Sequence, residues 1–574
     1  MDQSVIDEAR ARLGIPQQLE RLDDYRSVLD LFDHAVQSYP DRPAFTSLGH
    51  TLTFAELNRL VDRFAVWLQQ RPELEPGDRV AIQLPNLVQY PVVLFGVLRA
   101  GLVAINTNPL YTPKELEHQL NDAGAKALVV LANVAATAQH VLPRTRVRVV
   151  VTTELADLHA PLQRWVINSV ARYIKRMVPP FQIDGAVPLR SALLAKGQVR
   201  RHPSAPGDLA ILQYTGGTTG VAKGAMLSHR NLIANTLQGT AMFATYGVQP
   251  GREIFVLPLP LYHIYSFILS MVMLSAGNHC VLIPNPRDLP SLVREMKRWR
   301  FTGFAGLNTL FVALEQHDGF RELDFSQLKV TISGGMALAT TTAQHWQTLT
   351  GHPIYEGYGL TETSPVVTIN PGNNNQIGTI GLPVPGTEVK VIDDAGKTLP
   401  SGEAGELCVR GPQVMLGYWQ RAEETRNTVD GDGWLRTGDI AVIRDDGYLK
   451  IVDRKKDMVV VSGFKVYPGE VEEVLSQHPD VREAAVVGVP DEHSGEAVLA
   501  VVVPRRAGVT EAEIRAFCHD RLTGYKVPRR VEFRTDLPKS AVGKVLRREL
   551  RDEIAARGGT QSDGAGSGKE GGSH

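Results

Sequence analysis

The feature that most constrains the fold of this 574-residue chain is an alternation of two hydrophobic periodicities in its first 210 residues. FAELNRLVDRFAVWLQQ (54–70) has apolar residues at helical spacing, and YPVVLFGVLRAG (90–101) is apolar enough for a buried helix. GDRVAIQLPN (77–86) and LVAINTNP (102–109) each contain a short apolar strand. Strands that alternate with helices form parallel sheets covered by helices, so we predict an α/β fold.

A helix start is readable in TPKELEHQLNDAG (112–124), which precedes the apolar strand KALVVLA. Thr112 can cap this helix, Pro113 fits its first position, and Glu115 completes a capping box. A second region with the same strand–helix alternation runs from about residue 208 to residue 370.

The pattern changes in the last third of the chain. Residues 376–452 hold short strands separated by Gly, Pro and Asp turns, which predict a small antiparallel barrel or sandwich. The Gly/Ser tail at 558–574 cannot bury a core. We therefore predict a multidomain α/β protein. Its large N-terminal domain (1–452) holds two βαβ-type sheet subdomains and the small β-barrel, and its small α+β C-terminal domain (458–557) follows a hinge.

Charge balance and cysteine content exclude two classes of protein. The chain has 61 basic and 62 acidic residues, without the basic excess of a nucleic-acid binder. Cys280, Cys408 and Cys518 lie far apart, so neither a disulfide framework nor a zinc knuckle is expected. The N-terminal MDQSVIDEARARLG lacks the apolar core of a signal peptide. We expect a cytoplasmic protein that does not bind nucleic acid.

Two segments bear on membrane contact. The run 254–274 is long enough to span a bilayer, but it contains Pro258, Pro260 and His263, so we predict a buried strand, turn and helix. PLQRWVINSVARYIKRMVPP (161–180) predicts an amphipathic helix with Val166, Val170, Tyr173 and Met177 on one face and Arg164, Arg172, Lys175 and Arg176 on the other. Peripheral binding to an anionic membrane and packing on its own domain both stay open.

The strongest local signal follows the apolar strand LAILQY and predicts an anion site. Its residues are Thr215, Gly216, Gly217, Thr218, Thr219, Gly220, Lys223 and Gly224. The glycines leave backbone N–H groups free to surround an anion, the threonines add hydroxyl donors, and Lys223 adds a positive charge. Two residues separate Gly220 from Lys223, so this is not the G-x-x-x-x-G-K-[ST] loop of kinases and P-loop ATPases.

This segment, YTGGTTGVAKG, resembles the phosphate-binding motif of the adenylate-forming enzymes, which include acyl-CoA synthetases, luciferases and peptide-synthetase adenylation domains. Four further motifs of that family follow in its order: SGGM (333–336), YEGYGLTETSP (355–365), GWLRTGDIAVIRDDGYLKIVDRKKD (433–457) and LPKSAVGKVLRREL (537–550). The stretch 432–473 and PQVMLGYWQ (412–420) are most similar to the bacterial long-chain fatty-acid–CoA ligases of β-oxidation.

The resemblance implies a reaction in two halves. A carboxylate attacks the α-phosphorus of ATP to give an acyl-AMP and pyrophosphate, and the thiol of CoA then attacks that mixed anhydride. Mg²⁺ is expected with ATP, with Glu362 as its ligand and Thr215 as a second contributor. Lys544 is the implied catalytic lysine, which neutralises charge at the carboxylate oxygen and the α-phosphate. His263 is implied between acid pocket and ATP site, with a buried structural histidine as the alternative.

The same resemblance assigns the nucleotide contacts. Tyr358 is expected against the adenine and Thr361 near the α-phosphate, while Asp439 should accept hydrogen bonds from both ribose hydroxyls. The other residues expected around ATP are Gly334, Gly335, Glu356, Gly357, Gly359, Arg454 and Lys456.

Thioester formation is assigned to the C-terminal part. Asp453 matches the family's hinge at 453–457, about which the C-terminal domain swings. Gly463 would let the pantetheine of CoA pass close to the backbone, and Phe464, Lys465 and Lys526 are expected beside it. Arg529 and Arg530, with Lys526, could meet the phosphates of CoA or serve only solubility.

The predicted activity is ATP-dependent ligation of a long-chain fatty acid to CoA. The apolar run 254–274 and GFAGLNTLF (303–311) occupy the acid-pocket region of the family, where Gly303 and Gly306 are expected to leave room for a chain. Three alternatives stay open: a medium-chain or aryl-acid CoA ligase, a fatty-acyl-AMP ligase, and an inactive lipid-binding module. The sequence does not decide whether the protein forms a homodimer.

Overall fold

The computed structural model of the protein describes residues 2–215, 222–491, 493–539 and 545–559. The chain divides into two compact units. The first comprises Met1–Lys390, Cys408–Thr437 and Arg444–Leu449, and the second Val391–Leu407, Gly438–Ile443 and Lys450–His574. The domain limits 1–452 and 458–557 stay predictions.

The strands of the described residues are, in chain order, β1 (Pro43–Ser47), β2 (His50–Thr53), β3 (Arg79–Gln83), β4 (Val103–Asn106), β5 (Ala127–Leu131), β6 (Val149–Thr153), β7 (Val187–Pro188), β8 (Leu209–Thr215), β9 (Lys223–Ser228), β10 (Ile254–Leu257), β11 (His279–Leu282), β12 (Gly303–Gly306), β13 (Val330–Ser333), β14 (Ile354–Gly359), β15 (Val366–Ile369), β16 (Leu382–Pro383), β17 (Glu388–Ile392), β18 (Gly405–Arg410), β19 (Gly417–Tyr418), β20 (Leu435–Ile443), β21 (Leu449–Arg454), β22 (Val459–Val461), β23 (Phe464–Val466), β24 (Val481–Asp491), β25 (Gly495–Pro504) and β26 (Arg530–Phe533).

The α-helices of the same residues are α1 (Asp2–Arg12), α2 (Val28–Ser38), α3 (Phe54–Gln69), α4 (Gln89–Arg99), α5 (Pro113–Asp122), α6 (Ala135–Val141), α7 (Pro161–Ser169), α8 (Leu189–Ala192), α9 (His229–Ala244), α10 (Ile264–Ser275), α11 (Leu289–Arg298), α12 (Asn308–Glu315), α13 (Asp318–Arg321), α14 (Thr340–Thr350), α15 (Ala422–Thr428), α16 (Pro468–Ser476), α17 (Glu511–His519) and α18 (Arg547–Gly559).

The first unit contains an eight-stranded sheet with the order β19-β9-β8-β4-β3-β5-β6-β7. Its strands from β8 to β7 are parallel, as the strand–helix alternation predicted. β9 runs antiparallel to β8 and β19 antiparallel to β9, so this edge is a hairpin with one short added strand. The predicted start of α5 is confirmed, because Thr112 and Glu115 form the reciprocal capping box.

The second sheet of this unit has nine strands in the order β16-β15-β14-β13-β12-β10-β11-β1-β2. It is parallel from β14 to β1, so the carboxyl ends of β10, β12, β13 and β14 meet at one edge. Two short strands of the predicted barrel region extend the large sheets instead. Leu382–Pro383 pairs with β15, and Gly417–Tyr418 pairs with β9.

The main core of the first unit packs α3, α4, α9 and α10 together with residues from both sheets. Every residue of α4 is buried, and Arg99 in its last turn is satisfied by Asp62, Asn58 and Asp33. The run 254–274 forms β10, a turn and α10, which confirms the prediction of a buried strand, turn and helix. Among the helices of the described ranges, none combines the length and apolar character needed to cross a bilayer.

Two smaller sheets complete the chain. The four strands β17-β18-β20-β21 form one sheet, within the region where a small barrel was predicted. In the second unit, β23-β22-β25-β24 form the other sheet, and β26 joins it parallel to β25. Helices α16, α17 and α18 lie against this last sheet, so the C-terminal segment is α+β as predicted.

The segment 161–174 forms α7 followed by a π-helical turn, Val170–Ile174. Asn168 accepts a hydrogen bond from the N–H of Ala156, and Ala171 is buried, so this side faces the protein. The apolar side faces solvent: Leu162, Trp165, Tyr173 and Ile174 are 73, 68, 73 and 74 % exposed. The helix therefore does not bury its apolar face on its own domain.

Candidate functional site

The predicted phosphate loop joins the two strands of the β8–β9 hairpin. Thr215 is the last residue of β8 and Lys223 the first of β9, and the two are paired in register. Gly216, Gly217, Thr218, Thr219 and Gly220 lie outside the described residues. The register therefore defines the residues at which the loop begins and ends. It places Thr215, which carries a hydroxyl, opposite Lys223, which carries an ammonium group.

Lys223 is not isolated at the stem of this loop. Its ammonium forms an ion pair with Glu424 of α15 and lies 5.3 Å from the ring centroid of Tyr418. Glu424 is also 3.7 Å from Arg421, which itself pairs with Asp122 at 2.9 Å. A polyphosphate that binds the ammonium of Lys223 would displace the carboxylate of Glu424 from it. Glu424 would then still have Arg421 as an ion-pair partner.

The predicted metal ligand Glu362 lies in the turn Thr361–Thr363, which packs against β8 and β9. Its Oε1 accepts a hydrogen bond of 2.7 Å from the hydroxyl of Tyr418. Burial, and then the charge of Glu362, raise the pKa of Tyr418, so this phenol stays protonated at neutral pH and acts as a donor. Within the described part of the chain, Oε2 of Glu362 has no hydrogen-bond partner.

The residues expected around the base lie at the carboxyl edge of the nine-stranded sheet. Gly334 and Gly335 follow β13, while Glu356, Gly357, Tyr358 and Gly359 end β14. An added Cβ at Gly334 would lie 3.4 Å from the Tyr265 ring and from the carbonyl oxygen of Gly357. The two glycine segments are therefore neighbours, as a shared base-binding role requires.

Two residues of β14 have unusual surroundings. An added Cβ at Gly359 would lie 1.9 Å from the carbonyl oxygen of Pro365, so the turn into Thr361 requires glycine at this position. Burial raises the pKa of Glu356 to about 8, although the hydrogen bond from the N–H of Leu338 opposes the shift. Glu356 is thus largely a neutral carboxylic acid at pH 7.

His263 caps helix α10. Its Nδ1 accepts a hydrogen bond from the N–H of Tyr265 at 3.3 Å, so this nitrogen carries no proton. The side chain is half-buried, which fits both the predicted role beside the acid and a structural role. Hydrogen bonds link the segment before His263 to the eight-stranded sheet. Asn86, which follows β3 of that sheet, donates to the carbonyls of Leu257 and Leu259.

The expectation for Gly303 and Gly306 is wrong. An added Cβ at Gly303 would lie 1.8 Å from the ring of Phe255, and one at Gly306 would lie 2.7 Å from the ring of Phe311. Both rings are fully buried. The space beside these glycines is filled by the protein's own aromatic side chains and is not free for an acyl chain.

The nucleotide residues assigned to the second unit lie on adjacent strands. Asp439 on β20 is buried and lies 3.3 Å from Nε of Arg454 at the end of β21. Lys456 follows in the turn Lys455–Asp457 and is exposed. Asp439 and Arg454 are thereby brought together, as a shared ribose and phosphate role requires.

The predicted hinge residue Asp453 is held on both carboxylate oxygens. Oδ1 accepts from the guanidinium of Arg547 at 3.0 Å, and Oδ2 accepts from the N–H of Gly469. Arg547 also bonds Glu472 and lies 3.5 Å from Asp457. Sequence reasoning missed Arg547; its place in the LPKSAVGKVLRREL motif was the available signal.

The residues predicted for CoA lie around a tight hairpin. Ser462 and Gly463 both have positive φ and join β22 to β23. Among the residues that the structure describes, no atom lies within 4 Å of a Cβ added at Gly463, so the backbone is open on that side. The Phe464 ring stacks on Tyr525, while Lys465 pairs with Asp394 and Lys526 with Glu470.

The positions that remain are Lys544 and the basic residues considered for the phosphates of CoA. Lys544 lies outside the described residues. Arg529 forms an ion pair with Asp491, and Arg530 begins β26 and is exposed. Of the three basic residues considered for the phosphates of CoA, Lys526 and Arg529 are thus already paired with carboxylates.

The predicted phosphate loop thus joins two strands near one edge of the eight-stranded sheet, and the glycines predicted to line the base lie at the carboxyl edge of the nine-stranded sheet. The family model for the AMP-binding enzyme matches residues 32–419, and that for the AMP-binding enzyme C-terminal domain matches residues 470–544. Because the first model covers more than half of the chain, the protein belongs to the AMP-binding enzyme family.

The chain is similar to individual members over nearly its whole length. It is 51 % identical over 542 residues to a long-chain-fatty-acid–CoA ligase of Escherichia coli O6:H1, covering 93 % of this chain and 96 % of that one. Among solved structures, the anthranilate CoA ligase AuaEII in complex with anthranoyl-AMP has a TM-score of 0.83 at 26 % identity, covering 94 and 100 %. ATP-bound MatB from Rhodopseudomonas palustris has 0.79 at 31 %, covering 92 and 99 %.

The donor set fits a magnesium ion carried by the nucleotide. Mg²⁺ keeps several waters and is usually bound by one or two carboxylates together with substrate phosphates. Glu362 offers one carboxylate oxygen, and Thr215 offers a hydroxyl at the stem of the loop. Among the residues that the structure describes, no group of three or more His, Cys, Asp or Glu side chains could form a closed metal site.

Proposed function

We propose that the protein ligates a long-chain fatty acid to CoA at the expense of ATP, through an acyl-AMP intermediate. The observation that carries this proposal is the 51 % identity, over 93 % of the chain, to a long-chain-fatty-acid–CoA ligase. The pairing of Thr215 with Lys223, beside the turn that bears Glu362, supports it.

In the first half-reaction, a carboxylate anion must approach a polyphosphate anion. Lys223 and the backbone of the loop bind the phosphates, while Glu362 and Thr215 hold the Mg²⁺ that comes with ATP. The ion supplies positive charge that offsets the repulsion and stabilises the leaving pyrophosphate. Lys544 adds its ammonium at the carboxylate oxygen and α-phosphate, and Asp439 fixes the ribose.

In the second half-reaction, the thiol of CoA displaces AMP from the acyl-adenylate. We propose that the chain pivots at Asp453 between the two halves, so that the hairpin at Gly463 replaces Lys544 beside the acyl-adenylate. Gly463 has no side chain to obstruct the pantetheine arm, and Lys465 and Lys526 exchange Asp394 and Glu470 for phosphates of CoA. Neither half tolerates water at the mixed anhydride, which would hydrolyse it.

The direct test supplies purified protein with ATP, Mg²⁺ and carboxylic acids of different lengths. We expect pyrophosphate release with long-chain acids, and AMP release that depends on CoA. Each further CH₂ buried in a pocket contributes about 0.8 kcal/mol, so kcat/KM should rise steeply with chain length. A maximum at an aryl or medium-chain acid would contradict the long-chain assignment. Pyrophosphate release without thioester formation would indicate a fatty-acyl-AMP ligase. The absence of pyrophosphate release with every acid would indicate an inactive lipid-binding module.

We also propose peripheral binding to an anionic lipid surface through segment 161–177. Between Asp157 and Asp184 the chain has four basic residues and no acidic one. Arg172 is paired with Glu154 and the charge of Lys175 acts on Asp288, while Arg164 and Arg176 form no ion pair among the described residues. Each such residue near an anionic surface contributes about 1 kcal/mol, and burial of the exposed apolar side chains adds to it.

Sedimentation with phosphatidylcholine vesicles, with and without phosphatidylglycerol, tests this surface. Trp165→Ser combined with Ile174→Ser should reduce binding to both vesicle types. Lys175→Glu combined with Arg176→Glu should reduce only the part that depends on phosphatidylglycerol. Leu194→Ser removes another leucine that is 73 % exposed, outside the segment, and serves as the control. Unchanged sedimentation of both double variants would remove the segment from membrane binding.

A further inference from the structure

We propose that Tyr418 is a positioning residue for adenylation: its hydroxyl orients the carboxylate of Glu362 toward the Mg²⁺ of the nucleotide and fixes that carboxylate to the strand that carries Lys223. This inference rests on the proposed function, because it concerns the metal-bound nucleotide of that reaction. No part of the reasoning from sequence assigned a role to Tyr418.

The backbone around Tyr418 connects two parts of the site. β19 pairs with β9 so that Tyr418 lies opposite Ala225, two residues from Lys223. Trp419 donates its N–H to the carbonyl of Gly224 at 2.8 Å, and Met415 donates to the carbonyl of Glu362 at 2.8 Å. The tyrosine is therefore held by main-chain bonds between the loop stem and the turn of Glu362.

The side chain completes this connection at one carboxylate oxygen. The phenol donates to Oε1 of Glu362, and Oε2 keeps no partner among the described residues. A carboxylate fixed at one oxygen presents the other in a defined direction. Outer hydrogen bonds of this kind orient metal-binding carboxylates, and their removal typically lowers metal affinity or activity about 10–100-fold.

The ring of Tyr418 has a second contact that can be separated from the first. Lys223 lies over the ring face, 5.3 Å from its centroid, a distance at which a cation–π attraction acts. Tyr418→Phe keeps this face and removes the hydroxyl, together with its hydrogen bonds to Glu362 and to Thr428. An effect of Tyr418→Phe that disappears in the Glu362→Gln background is therefore attributable to the hydrogen bond to Glu362.

The test compares Tyr418→Phe with the wild-type full chain by binding and by activity. Calorimetric titration with ATP, in excess Mg²⁺ and in excess EDTA, gives the gain in affinity that the metal provides. We expect Tyr418→Phe to lose most of that gain and to bind ATP in EDTA as the wild type does. Half-maximal pyrophosphate release should need about 10–100-fold more Mg²⁺, while thioester formation from supplied acyl-AMP stays unchanged.

Controls separate a local effect from general damage. Tyr25→Phe removes a buried tyrosine hydroxyl that bonds Arg21, away from the motifs of the site, and should leave every measurement unchanged. Glu362→Gln should make the further change Tyr418→Phe nearly silent, because the two residues act through one contact. If Tyr418→Phe does not fold, Tyr418→Trp, which also keeps an aromatic face for Lys223 and lacks the hydroxyl, gives the same readout.

Three outcomes would overturn the inference: an unchanged Mg²⁺ requirement, an equal loss of affinity in Mg²⁺ and in EDTA, or full additivity with Glu362→Gln. Failure of the proposed function is recognised separately. A wild-type protein that binds ATP more tightly with Mg²⁺ but releases no pyrophosphate would contradict the ligase activity, while the binding comparison would still decide the role of Tyr418.

Discussion

The guanidinium of Arg547 donates to Oδ1 of Asp453 at 3.0 Å, across 94 residues of chain. Arg547 also binds Glu472 and lies near Asp457, so one cation is shared by three carboxylates. Asp453 is the residue at which we propose that the chain pivots, and Arg547 begins α18 three residues after Lys544. The proposed pivot and the first residue of α18, the helix that follows the predicted catalytic lysine, therefore belong to one charged cluster.

Replacement of Arg547 should damage this cluster. Arg547→Gln leaves Asp453 and Glu472 without their cation, while Asp457 keeps Arg551. This should destabilise the protein by about 3 kcal/mol, the typical effect of breaking a largely buried ion pair. Arg547→Lys should recover only part of this, because an ammonium cannot bridge several carboxylates as a guanidinium does. The measurement is the thermal midpoint. Arg548→Gln, which alters an exposed neighbour, is the control, and an equal midpoint for Arg548→Gln and Arg547→Gln would contradict the structural role.

Lys544→Ala should stop the first half-reaction and spare the second. Loss of one charge-stabilising group at a reacting centre typically costs about 10²–10³ in rate. Pyrophosphate release from fatty acid and ATP should fall by this factor, while thioester formation from supplied acyl-AMP and CoA should stay near the wild-type rate. Timing the two halves separately provides the measurement. Lys539→Ala, in the same segment, is the control, and equal losses in both halves would reject the assigned role.

Glu424→Gln should strengthen the binding of ATP. The carboxylate of Glu424 forms an ion pair with the ammonium of Lys223, and a phosphate of ATP must displace this carboxylate. A partly exposed ion pair contributes about 0.2–1 kcal/mol, so its removal should lower the KM for ATP about 1.4- to 5-fold. Glu423→Gln, an exposed neighbour, should leave the KM unchanged. A higher KM for Glu424→Gln would show that Glu424 helps to order the loop and does not compete with phosphate.

How much the sequence predicted depends on how local each interaction is. The capping box of Thr112 and Glu115, and the helix 54–69, follow from periodicity and short-range hydrogen bonds, and the structure confirms both. The motifs identified Thr215, Glu362 and Asp439, which the structure places at the end of β8, in the turn Thr361–Thr363 and on β20. They could not give the partners of these residues, because Tyr418 reaches Glu362 across 56 residues and only the folded sheet sets that pair.

Two other features could not be predicted from the sequence, because they too depend on contacts between residues far apart in the chain. The outward orientation of the apolar face at Trp165 depends on which side of α7 the protein contacts, and amphipathic spacing does not encode that choice. The filling of space at Gly303 depends on the rotamer of Phe255 on a neighbouring strand. Glycine in a strand signals a close approach, but it does not identify the approaching group.

The carboxyl of Glu356 should give the stability of the protein a pH dependence. Its pKa of about 8 in the folded protein lies above its usual value of 4.5, so the folded state holds a proton that the unfolded state releases between these values. The free energy of unfolding should therefore fall as pH rises through this range, by up to about 1.4 kcal/mol per pH unit. Glu356→Gln lacks this dependence, so its thermal midpoint relative to the wild type should rise with pH. Glu423→Gln is the control, and parallel pH profiles of Glu356→Gln and the wild type would contradict the raised pKa of Glu356.

Gly303→Ala tests whether this strand serves packing or the acyl chain. The added methyl group would lie 1.8 Å from the ring of Phe255, and overpacking of a filled core typically costs about 1–3 kcal/mol. We expect a lower thermal midpoint and, in the protein that remains folded, the same order of preference among acids of different length. Phe255→Leu in addition should restore part of the midpoint, because the smaller side chain vacates the clash. A normal thermal midpoint together with a shift of preference toward shorter acids would instead indicate that Gly303 lines the acyl pocket. Only an open space beside Gly303 could accept the methyl group without loss of stability.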